Sequence, residues 1–181
     1  YAEVEFTNGR LTLAGVDELD IDSKYATIEV GSSKKITMRS TNDEYELEEV
    51  GILSGSKNYG NLRITKLNTA LEMDGTNADI KVRNVGASLE NISIDNKYAD
   101  IRIPLRNVKS YAVDFTGPYS SVYGNFEKKS VPVAEDKAKT ENNQMRWAEV
   151  DSNNPSRFTA KVGEGGAKLV LKCQNCTVDL K

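Results

Sequence analysis

The chain has 181 residues with a net charge of −3, so its length suits one domain with a buried core, and its charge does not favour nucleic acid or anionic membrane as a partner. Histidine is absent. Its absence excludes nucleophilic sites that pair serine or cysteine with histidine, and zinc sites of the HExxH type. No run of 18 apolar residues occurs, so we expect no membrane span.

The N-terminus reads Tyr1-Ala2-Glu3, without an initiator methionine or a basic segment followed by an apolar one. We therefore expect a processed product from which a targeting signal has been removed.

Residues 1–127 alternate apolar and polar side chains over short stretches, and Asn, Gly, Asp and Ser cluster between the stretches. This alternation is typical of strands with one buried face, joined by tight corners. The short strands recur at intervals of 17 to 21 residues. They lie at 19–21, 36–38, 52–53, 71–73, 92–94 and 113–115.

A second series follows these strands. A phrase with a polar residue, then usually Tyr, then alternating β-formers, is centred on Tyr25, Tyr45, Tyr59, Ala78, Tyr98 and Tyr119. Because two series advance together, the sequence predicts an all-β fold, a parallel, right-handed β-solenoid (β-helix) with about 17–21 residues per turn. An antiparallel meander or sandwich is the alternative, because alternation does not fix strand direction.

The repeat is interrupted at 128–157, where a polar segment without periodicity predicts a loop excursion. Strand patterning returns at 158–162, 168–171 and 177–180, and we expect these last turns to close the end of the rod. The predicted organisation is a single domain over 1–181 that contains this excursion.

Cys173 and Cys176 are the only cysteines and form one C-x-x-C. Zinc would require two more ligands, and a thioredoxin-like motif would open a helix, whereas strand-like segments flank this pair. A local disulfide across Gln174-Asn175 and two unreactive thiols both remain open.

The aromatic residues supply two candidate surfaces. The tyrosine ladder is either a strip that stacks on carbohydrate or a half-buried structural column, and Ala78 within the series favours the column. Its members are Tyr25, Tyr45, Tyr59, Tyr98 and Tyr119. Near the excursion, Tyr123, Phe126 and Trp147 are the better candidates for exposed contacts with a ligand.

Catalysis would need aligned carboxylates or a basic column, as in polysaccharide-active enzymes on β-helices. Two sets of residues could align across turns: Asp79, Asp100 and Asp114, and Arg63, Lys81 and Arg102. Alternating charges also keep a solenoid soluble, so we predict no enzyme activity, no cofactor and no metal site.

The phrases Lys-Tyr-Ala-Asp-Ile-Arg-Ile at 97–103 and Lys-Asn-Tyr-Gly-Asn-Leu-Arg-Ile at 57–64, with the closing segment 158–169, resemble the adhesin family of bacterial β-solenoid domains. These domains of unknown function occur in cell-envelope proteins of Bacteroidetes-type bacteria. The resemblance implies a periplasmic, outer-membrane-attached or secreted location. It also implies a non-catalytic structural or adhesin-like binding module, with a protein or glycan at the cell surface as partner. A carbohydrate-binding module that uses the exposed aromatics is the first alternative, and a polysaccharide-active enzyme on a β-helix is the second and less favoured one.

Overall fold

The computed structural model describes residues 1–131 and 155–181, which are all-β: 76% of them lie in strands and none in a helix. The strands are β1 Ala2–Thr41, β2 Glu44–Val85, β3 Asn91–Lys97, β4 Asp100–Arg102, β5 Tyr111–Thr116, β6 Ser121–Tyr123, β7 Lys129–Ser130, β8 Arg157–Val162, β9 Ala167–Gln174 and β10 Thr177–Asp179. They form one curled, open, mixed sheet.

Strands β1 and β2 pair in parallel with an offset of 17 residues. Ile28 lies beside Tyr45, and Ile36 lies beside Leu53. An antiparallel meander would place antiparallel neighbours in this region, and the pairs there run parallel. The chain bends at each corner without losing its ladder, which explains why β1 and β2 are 40 and 42 residues long.

The buried side chains follow the predicted alternation. In β1 and β2 every second residue of each straight stretch points inward, and Ile28, Ile36, Leu53 and Leu62 are fully buried. The solvent-exposed face of the sheet has ion pairs between neighbouring turns, such as the one between Arg63 Nη1 and Glu46 Oε1 at 3.3 Å. The alternation of apolar and polar residues therefore specifies both faces of this part of the sheet.

The sheet becomes antiparallel at one end, where β8 pairs with β5 and with β7. Phe115 and Phe158 stack there with ring centroids 5.2 Å apart. Phe126 packs on Phe158 at 6.2 Å and meets the edge of Tyr111 at 6.3 Å. These aromatic rings cover the apolar side chains at this end of the sheet. Residues 132–154, the central part of the predicted excursion, lie outside the described residues.

Of the three segments expected to close the end, β8 lies at one end of the sheet with the short strand β7, whereas β9 and β10 lie between strands of the repeat. Strand β9 lies between β3 and β5, and β10 lies between β4 and β6, all in parallel pairs. Consecutive strands of the repeat, β3 and β5, are therefore separated by a strand that comes from the end of the chain. The insertion is favourable because β9 directs Leu169 and Leu171 into the same core and pairs its backbone on both sides.

Candidate functional site

Among the residues that the structure describes, eight other than glycine adopt a left-handed backbone conformation, with φ between 52° and 62°. They are Asn8, Tyr25, Asn42, Tyr59, Asn77, Tyr98, Tyr119 and Asn175, and we call them the corner column. Each stands at a bend of the chain, either within the long strands β1 and β2 or between two strands. We use the word coil for the stretch of chain that carries one such corner.

The corners stack directly on one another, as their backbone hydrogen bonds show. Asn42 N donates to the carbonyl of residue 58, Tyr98 N to that of residue 174, and Asn175 N to that of residue 118, at 2.9–3.1 Å. In each case the corner amide donates to the residue just before the next corner. The strand registers and the tight packing of Gly31 on Ala14 and of Gly75 on Lys57 extend this stack to the other corners.

Along the stack, asparagine and tyrosine alternate without exception. The spatial order is Asn8, Tyr25, Asn42, Tyr59, Asn77, Tyr98, Asn175 and Tyr119. The inserted C-terminal coil supplies Asn175 between Tyr98 and Tyr119, which would otherwise be adjacent. Because coils are about 4.8 Å apart, successive tyrosines are separated by about 10 Å.

The corner tyrosines are exposed. Tyr25, Tyr59, Tyr98 and Tyr119 have relative accessibilities of 61%, 49%, 55% and 84%. No aromatic contact in the described part of the chain joins two of them. They therefore form a row of separate exposed rings, whereas a half-buried stacked column was the favoured expectation.

Tyr45 does not belong to this row. It is 1% exposed and stands beside Ile28 in the core, while Asn42 occupies the corner of its coil. Ala78 follows the corner Asn77 and is buried. The predicted series was defined by recurring tyrosines, so it does not identify the four asparagine corners. A corner position requires only a residue that tolerates a left-handed backbone. Gly, Ala or Ser follows six of the eight corners, as in Asn-Gly and Asn-Ala, and this is a signal that could have found most of them.

A buried carboxylate supports the corner at Asn42. Asp43 is 0% exposed, and its carboxylate accepts hydrogen bonds from Ser23 Oγ at 2.7 Å and from Ser40 Oγ at 2.8 Å. The backbone amides of Ala26 and Thr41 donate to it at 2.7 and 3.1 Å. The charge is thus held by four donors from two segments of the chain, 23–26 and 40–41, which fixes how these neighbouring coils lie on one another.

Lys57 and Tyr45 complete this polar cluster. The Lys57 ammonium donates to Ser40 Oγ at 3.1 Å and to the Asp43 carbonyl, and it lies 5.2 Å from the centre of the Tyr45 ring. The Tyr45 hydroxyl shares a hydrogen bond with Ser23 Oγ at 2.5 Å. Burial lowers the pKa of Lys57 to about 8, against the opposing effect of the Asp43 and Glu44 carboxylates, and burial raises the pKa of Tyr45.

The lowered pKa of Lys57 predicts a pH-dependent stability. The unfolded chain holds the lysine proton up to its ordinary pKa of 10.5, so between about pH 8 and 10 it binds more protons than the folded chain. The free energy of unfolding should therefore rise by about 2 kcal/mol between pH 7 and 9.5. Urea denaturation at both pH values measures it. Lys57→Met should abolish the rise, and an equal rise in that variant would contradict the assignment.

Two of the three aromatic residues near the excursion lie within the described residues, and their environments differ. Tyr123 is exposed, with the Lys181 ammonium 5.9 Å from its ring centre. Phe126 packs into the aromatic cluster that covers the end of the sheet, so its ring contributes to packing. Trp147 lies outside the described residues. Of the two described residues, only Tyr123 therefore presents an exposed ring, while Phe126 is partly buried.

The structure brings the predicted basic column together, but only two of the three predicted aspartates. Asp100 N donates to Asp79 Oδ1 at 2.8 Å, whereas Asp114 lies on β5 beside Val170. A shallow groove brings together Arg63, Lys81 and Arg102 with Glu46. Asp79 thus caps the corner of the neighbouring coil, and the basic column faces an acidic side chain. Neither arrangement presents two carboxylates to a common substrate position.

A disulfide joins Cys173 and Cys176, whose Cα atoms are 5.7 Å apart, across the corner at Asn175. The Ser120 hydroxyl donates to the Cys173 carbonyl at 2.6 Å and accepts from Cys176 N at 3.0 Å. The disulfide and Ser120 together hold the corner of the inserted coil against the coil that carries Tyr119.

Within residues 1–131 and 155–181, no three Cys, Asp or Glu side chains are arranged to hold a metal ion. The same part of the chain has no helix long and apolar enough to cross a membrane. No family model, curated protein or solved structure matches the chain.

Proposed function

We propose that this protein is a non-catalytic binding module of the bacterial cell envelope, and that it uses the exposed tyrosines of the corner column to hold an extended ligand. The observation that carries the proposal is the choice of residue at the corners. Asparagine and glycine adopt the left-handed backbone readily, whereas tyrosine there costs about 1 kcal/mol. Four exposed tyrosines at such positions contribute little to the core, so their presence there indicates a role for their rings.

The scaffold we propose is a single parallel, right-handed β-solenoid domain, akin to the adhesin family of envelope β-solenoids. Parallel pairs offset by 17 residues and the stacked corners support it. The antiparallel strand β8 then serves as the cap that solenoid ends require. A rigid scaffold of this kind presents side chains at a constant spacing, which suits binding to a repetitive surface.

Binding is favoured over catalysis by the pairing of the charges. Across neighbouring coils Lys34 meets Asp17 at 3.0 Å, Arg39 meets Asp22 at 3.3 Å and Lys66 meets Glu49 at 3.0 Å. In these exposed pairs each carboxylate lies beside a cation. General acid–base catalysis would instead require two carboxylates that face a common substrate position.

The test is sedimentation with isolated cell-envelope fragments of a Bacteroidetes-type bacterium. We expect the wild-type protein to sediment with the fragments, and we expect the fourfold variant Tyr25→Asn, Tyr59→Asn, Tyr98→Asn, Tyr119→Asn to remain in the supernatant. Asparagine already occupies the alternate corners, so the variant should fold, and its circular dichroism serves as the control. Equal sedimentation of both proteins, or none of either, would overturn the proposal.

A further inference from the structure

We infer that the ligand of the corner column is a linear β-1,4-linked glycan that lies along the stack, with alternate sugars on successive tyrosine rings. This inference rests on the proposed binding function and names its ligand class. Three observations support it: the spacing of the rings, the asparagines between them, and the corner backbone amides, which already donate hydrogen bonds within the protein.

The spacing selects a ligand with a repeat of about 10 Å, since the tyrosines occur at every second coil. In a β-1,4-linked chain each sugar is turned over relative to the one before. The same sugar face therefore recurs once per disaccharide, at about this distance. An aromatic ring stacks on the C–H groups of a sugar face while its hydroxyl reaches the polar rim. In α-1,4- and β-1,3-linked chains the sugars wind helically, so their faces would not stay in step with the rings.

The asparagines stand between the tyrosine rings and can form hydrogen bonds with sugar hydroxyl groups. Asn42 and Asn77 are exposed on either side of Tyr59, and Asn175 stands between Tyr98 and Tyr119. An asparagine amide has two donors and an acceptor, which suits the hydroxyl groups of the sugar turned away from the rings. Every sugar of the bound chain thus meets a side chain suited to it.

A peptide strand fits this surface less well. Peptides that add to a sheet need free backbone donors and acceptors at an edge. The corner amides of Asn42, Tyr98 and Asn175 already donate to the next coil. A ligand on the column can therefore reach only side chains, and a regular row of rings and amides is a surface for sugars.

The length of the row sets the length of the ligand. Tyr25 and Tyr119 are six coils apart in the stack, about 30 Å, which corresponds to three disaccharides between the first and last ring. Affinity should therefore increase from di- to hexasaccharide by at least tenfold, because each added disaccharide reaches another tyrosine.

The decisive experiment is calorimetric titration of the full chain with hexasaccharides that differ in linkage. We expect cellohexaose or chitohexaose to bind, and laminarihexaose (β-1,3) and maltohexaose (α-1,4) to bind at least tenfold more weakly. Cellohexaose and chitohexaose distinguish a glucan source from an N-acetylated one, such as chitin or the glycan strands of murein. Equal binding of all four, or binding of neither β-1,4 hexaose, would overturn the inference.

Matched variants locate the site. Tyr59→Asn with Tyr98→Asn should weaken binding at least tenfold without lowering the temperature of thermal unfolding, because asparagine adopts the left-handed backbone more readily than tyrosine. Tyr123→Ala removes an exposed tyrosine outside the corner column and should bind as the wild type does. Loss of affinity in Tyr123→Ala alone would place the site elsewhere and overturn the inference. If the fourfold variant loses envelope sedimentation while no hexaose binds, the glycan inference fails and the proposed function stands.

Discussion

Replacing Asp43 with alanine should lower the free energy of unfolding by about 3–5 kcal/mol, as expected when one partner of a buried charged network is removed. The two serine hydroxyls and two backbone amides that donate to this carboxylate would lose their acceptor inside the protein. The Lys57 ammonium would also lose the nearby negative charge that favours its protonated form.

The backbone itself should accept the change. Ala26, Ala78 and Ala99 stand directly after the corners of other coils, so alanine fits the position sterically. The loss would therefore report on the carboxylate and not on the turn. Asp74→Ala, at an exposed position, should change stability by less than about 0.5 kcal/mol. Chemical denaturation of both variants measures the difference, and a loss below 1 kcal/mol for Asp43→Ala would show that the network contributes little.

The second large effect is expected at the inserted coil. Gly117 lies against the Cys173 carbonyl, and a Cβ on residue 117 would overlap that oxygen and lie 2.7 Å from the carbonyl carbon. Gly117→Ala should therefore push β9 away from β5 and destabilise the protein by about 3 kcal/mol. Amide hydrogen exchange should show loss of protection first in β9 and β10.

Gly166→Ala is the matched control for this steric effect. A Cβ at Gly166 would lie no closer than 3.4 Å to its neighbours, so β9 should keep its place. If the two variants have the same stability and the same exchange pattern, the close contact between the inserted coil and Gly117 does not exist in solution.

The sequence predicts the strand faces and the period well, because both depend on local alternation. The short strands at 36–38 and 52–53 are paired in the predicted register, with Ile36 beside Leu53, and Leu71 lies beside Ile92. Side chains that alternate between core and water leave a period of two in the sequence, whatever the path of the chain.

The position of the C-terminal segment could not be predicted in this way. Strand β9 has the same alternation as any other strand, and the repeat at Tyr98 and Tyr119 suggests that their coils are adjacent. Which backbone edge a strand joins depends on contacts between residues far apart in the chain, such as Ser93 with Val170. The alternation of Asn and Tyr along the stack depends on that insertion. It could not be predicted either, because it depends on the same long-range pairing.

The buried cluster was missed because its members look like surface residues. Asp43 begins an acidic stretch, 43–49, whose composition is typical of a solvated face, and Lys57 begins one of the phrases of the repeat, yet both side chains are buried. Buried ionic groups are stable only when donors converge from several segments. The residues next to Asp43 and Lys57 in the sequence do not reveal which other segments of the chain supply these donors.

Disulfide cross-linking between coils tests the central claim, that the C-terminal coil lies between the coils of Tyr98 and Tyr119. Val170 stands beside Ser93 on one side and Asp114 on the other. Neighbouring strands bring Cα atoms within the range that a disulfide spans, whereas strands two apart, at about 10 Å, exceed it. With Ser93→Cys and Val170→Cys, and with Asp114→Cys and Val170→Cys, we predict rapid intramolecular cross-links under mild oxidation. The pair Ser93→Cys and Asp114→Cys should stay reduced. Rapid cross-linking of that third pair, with none in the first two, would contradict the insertion and with it the alternating column.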